Sequence, residues 1–193
     1  MKKGFLIVIS GPSGVGKGTI RQRLVEKYKE LNLQYSISMT TRSPREGEEN
    51  GREYFFVTKE QFEENIKNNN LIEYTKFVGN YYGTPRDYVE ELRLKGFNVI
   101  LEIEIEGARK VMKDYMNDNL ITIFVTARSL RIIEERIRNR RTESEEQITE
   151  RLNKAKKEMH LSYLYDYVVV NDEVEKSVDE IAGYLKTNMN LWL

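Results

Sequence analysis

The feature that most constrains this chain is a glycine-rich segment near its start, Gly-Pro-Ser-Gly-Val-Gly-Lys-Gly-Thr at residues 11–19. It follows a short apolar run, Phe5 to Ile9, and it precedes three residues with helical spacing, Ile20, Leu24 and Leu31. Glycines, a lysine and a hydroxyl at this spacing, between a strand and a helix, are typical of a phosphate-binding loop. The sequence therefore predicts a nucleoside triphosphate as the first ligand.

The residue types of this loop have a physical reason. Gly11, Gly14 and Gly16 permit positive φ angles and let backbone N–H groups converge on a polyphosphate. The start of the next helix adds unpaired N–H groups, and Lys17 adds a mobile cation. The following position, where a hydroxyl normally binds magnesium, is glycine, so Thr19 is the candidate metal ligand, mainly through water. The predicted triphosphate-binding residues are Gly11, Pro12, Ser13, Gly14, Val15, Gly16, Lys17, Gly18 and Thr19.

Composition and charge exclude several classes of function. The chain has 193 residues, which suits one domain. Lys plus Arg number 31 and Asp plus Glu number 31, so no net field draws the molecule to nucleic acid or to a membrane surface. The absence of cysteine excludes disulfides, thiol nucleophiles and cysteine-ligated metals. No apolar stretch is long enough to span a bilayer and no cleavable leader precedes the loop, so we expect a cytoplasmic protein.

Apolar, β-branched runs alternate with segments of helical periodicity along most of the chain. This alternation predicts an α/β fold in which a parallel sheet is flanked by helices. The predicted core strands are Phe5–Ile9, Val99–Ile105, Leu120–Val125 and Tyr167–Val170. Residues 36–92 break the rhythm and are interpreted as an inserted small mixed α/β subdomain, whose strand-like pieces are Tyr35–Met39, Tyr54–Val57 and Leu71–Val78. Residues 128–157 predict a helical hairpin with a basic tip.

Residues 36–56 are dense in groups that bind phosphate. Arg42 and Arg45 flank a proline that stiffens the turn, and the planar fork of arginine matches phosphate oxygens. Tyr54 adds a hydroxyl donor. Taken alone, the two arginines are better explained as partners of Glu46 and Glu48 on a solvated turn. The neighbouring phosphate loop favours a binding function.

A carboxylate at Glu73 indicates base recognition. Guanine presents two adjacent donors that one carboxylate accepts, and its O6 needs a donor such as the hydroxyl of Ser36 or Thr84. Adenine presents the opposite pattern and is repelled. Glu73 is equally compatible with an ordinary surface strand.

Six ordered motifs together resemble guanylate kinases over nearly the whole chain. They are Gly11–Thr19, Ser36–Phe56, Gly79–Thr84, Leu101–Gly107, Arg136–Glu146 and Asp166–Asp172. The resemblance implies a P-loop kinase fold in a single domain, 1–193, with a core of residues 1–35, 93–127 and 158–193, a GMP-binding insert at 36–92 and a helical lid at 128–157. It implies transfer of the γ-phosphoryl group of Mg-ATP to GMP in purine nucleotide metabolism and GMP recycling, with dGMP as a second candidate acceptor.

The same resemblance implies roles for individual residues. For ATP it implies the loop Gly11–Thr19 together with Asn171. The implied GMP-binding residues are Ser36, Arg42, Arg45, Glu48, Tyr54, Glu73, Tyr82, Thr84, Glu102 and Glu104. The implied catalytic residues, which stabilise charge during transfer, are Lys17, Arg42, Arg136, Arg140 and Arg151. Magnesium is the implied cofactor.

The chain departs from the family pattern in the acidic segment and in the lid. Glu102 and Glu104 stand where aspartate is common, Glu106 stands where glutamine is usual, and Arg141 replaces a common lid glycine. We expect the carboxylate function to survive the longer side chains.

Two other functions fit parts of this pattern. A sugar-bisphosphate kinase would share the scaffold, but its substrate offers Glu73 no donors of the guanine kind. A catalytically silent guanylate-kinase-like scaffold domain binds phosphopeptides through the insert, but such domains typically lack an intact phosphate loop. ATP and GMP are therefore the expected partners, without nucleic acid or membrane, of a monomer or a homo-oligomer.

Overall fold

The computed structural model describes residues 2–77, 79–139 and 144–189. Its strands are β1 (Leu6–Ser10), β2 (Leu33–Tyr35), β3 (Ser38–Thr40), β4 (Tyr54–Phe56), β5 (Leu71–Phe77), β6 (Asn80–Pro85), β7 (Asn98–Glu102), β8 (Leu120–Thr126) and β9 (Tyr167–Val170). Its α-helices are α1 (Lys17–Lys27), α2 (Lys59–Lys67), α3 (Arg86–Leu94), α4 (Ile105–Tyr115), α5 (Leu130–Arg138), α6 (Glu145–Met159) and α7 (Val174–Asn188). Within these described ranges, no helix is both long and apolar enough to cross a membrane.

Five strands form a parallel sheet in the order β2-β7-β1-β8-β9. All residues of β1 are buried, because helices cover both faces of the sheet. Ile7 and Ile9 pack on the face covered by α1 and α7, whereas Leu6 and Val8 pack on the face covered by α3 and α4. The predicted α/β fold, with a parallel sheet flanked by helices, is confirmed.

A second sheet of four strands, in the order β4-β3-β6-β5, is formed by residues 38–85. It is mixed, because β3 pairs with β4 in parallel but with β6 in antiparallel orientation, and β5 pairs with β6 antiparallel. Helix α2 begins at a capping box of Thr58 and Gln61, and its Phe62 stacks on Tyr81 of β6 with 5.1 Å between ring centroids. This sheet carries several of the predicted acceptor-binding residues.

The acidic segment consists of a strand end, a short connection and a helix start. The alternating residues Val99–Ile105 predict one strand, but β7 ends at Glu102 and α4 begins at Ile105. Glu104 precedes this helix with extended angles, φ −72° and ψ 163°. The predicted strand is too long because the two-residue connection preserves the alternation of Glu and Ile that marks a strand. Since Glu102 pairs with Ile9 of β1, its carboxylate lies at the sheet edge where the phosphate loop begins.

Two further predicted elements have different bounds in the structure. Tyr35–Met39 divides into two strands, because β2 ends at Tyr35 in the core sheet and β3 begins at Ser38 in the mixed sheet. The helix predicted through Leu31 ends at Lys27, since Tyr28 leaves helical angles with φ −114° and ψ 67°. Leu31 lies in a short 3-10 helix instead.

Helices α5 and α6 form the predicted hairpin and pack against each other. Ile133 and Ile137 of α5 and Ile148 and Ala155 of α6 are buried in the same apolar cluster, as their spacing predicts. Helix α6 begins at a capping box formed with Ser144. The basic tip, which contains Arg140 and Arg141, lies outside the described residues.

Candidate active site

The phosphate loop connects β1 to α1 and has the backbone that its glycines predict. Gly11, Gly14 and Gly16 have φ angles of 140°, 86° and 92°. At Gly16 a Cβ atom would lie 2.7 Å from Nδ2 of Asn171, so packing as well as backbone geometry requires glycine there. In the described part of the chain no side chain caps the start of α1, which leaves its first N–H groups for an anionic ligand.

Asn171 holds the loop from the end of β9. Its Nδ2 donates to the Val15 carbonyl at 2.8 Å, and its Oδ1 accepts from the Ser177 hydroxyl at 3.1 Å. Arg136 of α5 donates to the carbonyls of Val15 at 3.3 Å and Asn171 at 2.7 Å. Two residues predicted for ATP binding and catalysis are thus bonded to the phosphate loop.

Lys17 folds back over the loop. Its Nζ donates to the carbonyls of Gly11 at 2.6 Å and Pro12 at 3.0 Å. Burial lowers the pKa of this ammonium group, and the nearby carboxylates of Glu102 and Glu158 oppose that shift. The loop therefore holds a partly desolvated cation beside its N–H groups, an arrangement that attracts a polyphosphate.

Arg151 reaches the same loop from α6. Its guanidinium donates to the Ser13 hydroxyl. Together with Arg136 on α5, it brings positive charge from both hairpin helices to the phosphate loop. The remaining predicted catalytic arginine, Arg140, lies outside the described residues.

A cavity of about 420 Å³ adjoins the phosphate loop. Its lining residues are Gly18, Arg21, Tyr35, Ser38, Tyr54, Glu73, Thr75, Tyr82, Gly83, Glu102, Ile103 and Glu104. Five of them were predicted to bind the acceptor, and Gly18 belongs to the predicted triphosphate loop. The structure therefore brings one residue of the predicted triphosphate loop and five predicted acceptor-binding residues to one cavity.

Glu73 is a buried carboxylate at this cavity. Its residue is 6% exposed, and its Oε1 accepts from the Thr84 hydroxyl at 2.6 Å. Burial raises the pKa of Glu73, and the hydrogen bond from Thr84 opposes the rise. Gly107 of α4 packs against it so closely that a Cβ there would lie 2.6 Å from Oε2. Donors stabilise the charged form of so desolvated a carboxylate, and Thr84 supplies one of them.

Ser38, rather than Ser36, lines the cavity. Ser36 follows β2, and its N–H donates to the Ile100 carbonyl at 3.0 Å, so it still belongs to the core sheet. Its hydroxyl is buried and has no hydrogen-bond partner among the described residues. Because residues two apart in an extended chain point to the same side, spacing alone does not distinguish the two serines.

An ion pair holds the predicted phosphate-binding arginine. Nη2 of Arg42 donates to both carboxylate oxygens of Glu48 at 2.9 Å, and the Arg45 N–H donates to the same carboxylate at 2.8 Å. This contact raises the pKa of Arg42 and lowers that of Glu48. The Tyr54 ring centroid lies 5.4 Å from the Arg42 guanidinium carbon and 6.0 Å from the Tyr82 ring. Glu48 therefore contacts Arg42 as a phosphate would.

The two glutamates of the acidic segment have different partners. Glu102 accepts from Nε of Arg21 on α1 at 3.0 Å. Glu104 accepts from Nζ of Lys154 on α6 at 2.8 Å. Glu102 is thus tied to the phosphate-loop helix, and Glu104 is tied to the helical hairpin.

Comparison with known proteins identifies the family. A family model described as guanylate kinase matches residues 3–188. The chain belongs to the guanylate kinase family. It is 54% identical over 183 residues to a guanylate kinase of Mesoplasma florum, covering 95% of this chain but only 61% of that relative. It is 49% identical over 186 residues to a guanylate kinase of Oceanobacillus iheyensis, covering 96% of this chain and 88% of that relative.

Solved structures support the same assignment. The crystal structure of guanylate kinase from Anaplasma phagocytophilum matches with a TM-score of 0.74 and 33% identity, covering 97% of this chain and 87% of the other. A shikimate kinase from Bacteroides thetaiotaomicron matches with a TM-score of 0.51 and 16% identity, which concerns the fold alone. The predicted resemblance to guanylate kinases and the predicted P-loop kinase fold are confirmed.

The oxygen groups near the loop of this guanylate kinase family member suit a magnesium ion held largely by phosphate and water. Among the described residues, no group of three or more His, Cys, Asp or Glu side chains is placed to hold a metal. Thr19 is exposed, and the Glu102 carboxylate lies 3.5 Å from the Cβ position at Gly18. Because Mg²⁺ keeps several waters and uses few protein oxygens beside substrate phosphates, a single nearby carboxylate fits such a site, and no contact joins Thr19 to it among the described residues.

Six lining residues of the cavity in this guanylate kinase family member are absent from the predicted site residues. They are Arg21, Tyr35, Ser38, Thr75, Gly83 and Ile103. Arg21 lies four residues after Lys17 on α1, and that helical spacing was a usable signal. Thr75 gave no signal, because its side of β5 depends on a register shift between Leu71 and Tyr74.

Proposed function

We propose that the protein transfers the γ-phosphoryl group of ATP to the 5′-phosphate of GMP and releases ADP and GDP. The observation that carries this proposal is the buried Glu73 carboxylate in a cavity that adjoins an intact phosphate loop. Both similar relatives are named guanylate kinase, which supports the same reaction.

Glu73 would read the guanine base. Its carboxylate can accept from N1–H and from the exocyclic amine together, whereas the N1 acceptor of adenine would face it with like polarity. The Thr84 hydroxyl already donates to Oε1, which favours the charged form of Glu73. Ser38 on the same cavity wall is a better placed hydroxyl for base contacts than Ser36. A buried polar site of this kind discriminates strongly, because the wrong base leaves its groups unpaired.

The arginine cluster would hold the GMP phosphate. Tyr54 and Tyr82 line the cavity, and the Arg42 guanidinium lies beside the Tyr54 ring, whereas Arg45 is exposed on the adjoining turn and does not line the cavity. Since Arg42 already contacts Glu48, binding of a phosphate there requires an exchange of partners. The phosphate dianion carries more negative charge than the carboxylate it replaces, so the exchange keeps the guanidinium paired.

Charge stabilisation would drive the transfer step. The acceptor phosphate is ionised near neutral pH, so the reaction needs no general base, and the barrier lies in bringing two polyanions together. The side chains of Lys17, Arg136 and Arg151 donate hydrogen bonds to residues of the phosphate loop. Arg140 is proposed to join them from the hairpin tip. Bound magnesium would neutralise phosphate charge, with Thr19 and Glu102 as nearby oxygen groups.

We also propose a substrate range and a metabolic role. The protein would use GMP and the candidate dGMP as acceptors, in purine nucleotide metabolism and GMP recycling. The division into core, GMP-binding insert and lid, the cytoplasmic location and the oligomeric state stay predictions.

Thermal unfolding tests the base preference without any turnover. GMP at about 100 times its Kd is expected to stabilise the protein by about 2.7 kcal/mol, which raises Tm by about 5–10 °C in a chain of this size. AMP and ribose 5-phosphate at the same concentration should leave Tm within about 1 °C, since neither offers Glu73 its two donors. Equal shifts with ribose 5-phosphate and GMP would favour the sugar kinase alternative.

A further inference from the structure

Arg21 joins the phosphate-loop helix to the acceptor cavity. Its Nε donates to Oε2 of Glu102 at 3.0 Å, and its guanidinium carbon lies 3.9 Å from the centroid of the Tyr35 ring. The side chains of Arg21 and Glu102 are 27% and 23% exposed, and both line the cavity. A planar cation stacked on a ring and bonded to a carboxylate has little freedom to move.

Gly18 makes room for this arrangement. A Cβ atom at Gly18 would lie 3.5 Å from Oε1 and 3.7 Å from Oε2 of Glu102. A hydroxyl side chain at this position would compete with Arg21 for the carboxylate. The glycine therefore adds no competing side-chain donor beside the ion pair of Glu102 with Arg21.

We propose that Arg21 is a positioning residue for the acceptor pocket, which holds the Glu102 carboxylate beside Gly18 and neutralises its charge where the two substrates meet. This inference rests on the proposed function. Because GMP enters as a dianion, an unpaired carboxylate on the cavity wall repels it and needs a cation beside it. Arg21 removes that repulsion and fixes the direction in which Glu102 accepts hydrogen bonds.

Removing Arg21 is expected to weaken GMP binding through Glu102. In isothermal titration with GMP alone, without ATP or magnesium, Arg21→Met should raise Kd about tenfold, the size of one charge-assisted hydrogen bond. Arg21→Lys, which keeps the charge but loses the planar group stacked on Tyr35, should give a Kd between those of Arg21→Met and the unmodified protein. The double variant Arg21→Met/Glu102→Gln should bind GMP more tightly than Arg21→Met, because no bare carboxylate remains.

A matched control and two outcomes make the test decisive. Arg23→Met, two residues along α1, removes an exposed arginine paired with Glu175 and Glu26 and should leave Kd unchanged. If the unmodified protein binds no GMP, the proposed function itself fails. If it binds GMP and Arg21→Met changes only Tm, or the double variant binds GMP no more tightly than Arg21→Met, Arg21 has a structural role and the inference is overturned.

Discussion

Replacing Lys17 with methionine is expected to lower kcat for GDP formation about a thousandfold, near the upper end of the effect of losing one preorganised charge-stabilising donor. The Nζ of Lys17 donates to the loop carbonyls of Gly11 and Pro12 and is within reach of a phosphate bound by the loop. Because burial lowers the pKa of Lys17, its charge does not stabilise the fold. Tm is therefore expected to change by no more than about 3 °C.

Steady-state kinetics with circular dichroism melting measure both parts of this prediction. Lys27→Met is the control, since Lys27 lies on the same helix but forms exposed ion pairs with Glu175 and Asp179. Its kcat should stay within about twofold, as expected for loss of a surface ion pair. A Lys17→Met enzyme that keeps kcat within about fivefold would remove Lys17 from the transfer step.

Replacing Glu73 with glutamine is expected to separate activity from stability. Glutamine keeps the size of the side chain and can accept from Thr84, but its amide group opposes one of the two guanine donors. The loss in kcat/KM for GMP should be about ten-thousandfold, at the lower end of the range seen when a buried polar site loses its match.

The stability of the same variant should move the other way. Because burial raises the pKa of Glu73 above its ordinary 4.5, the folded protein binds this proton more tightly than the unfolded chain. Stability is therefore lost as pH rises from the ordinary glutamate range through the folded pKa. Glu73→Gln cannot ionise, so its Tm at pH 7 should equal or exceed that of the unmodified protein, and the difference should shrink at pH 4.

Two further variants isolate the position of the carboxylate. Gly107→Ala places a Cβ 2.6 Å from Oε2 of Glu73 and should displace it, reducing kcat/KM for GMP although the glycine has no functional group. Gly183→Ala on α7 meets nothing within 4 Å and serves as its control. Glu106→Gln, an exposed change in the same acidic segment, should leave GMP use unchanged. Full activity of both Glu73→Gln and Gly107→Ala would contradict base reading by Glu73.

The sequence predicted best those features that depend on local pattern. The phosphate loop lies directly between strand β1 and helix α1 and contains the glycines that its turns require. Its backbone is therefore determined by residues close together in the chain. Strands β1, β7 and β8 are apolar, largely β-branched runs buried on both faces, a pattern typical of the centre of a parallel sheet. The hairpin helices α5 and α6 follow from the spacing of their apolar residues.

Features that depend on distant contacts were harder to predict. The Glu-Ile alternation of residues 101–106 is the same in a strand and in a strand end followed by a helix, and only packing against β1 decides where the strand stops. Glu48 is one of several glutamates beside arginines, and its contact with Arg42 depends on how the turn folds. The spacing of Arg21 from Lys17 places both on one side of α1, but its partner Glu102 lies 81 positions away and only the packing of β7 brings the two together.

The central claim is phosphoryl transfer to GMP, and a coupled assay of ADP release tests it most directly. ATP and magnesium would be supplied with GMP, AMP, CMP or UMP in turn, using the unmodified protein. The account predicts rapid turnover with GMP and a kcat/KM at least about a thousandfold lower with each of the others. Turnover that is equal for AMP and GMP would contradict base reading by the buried carboxylate. No turnover with any monophosphate, despite GMP binding, would favour the binding-domain alternative.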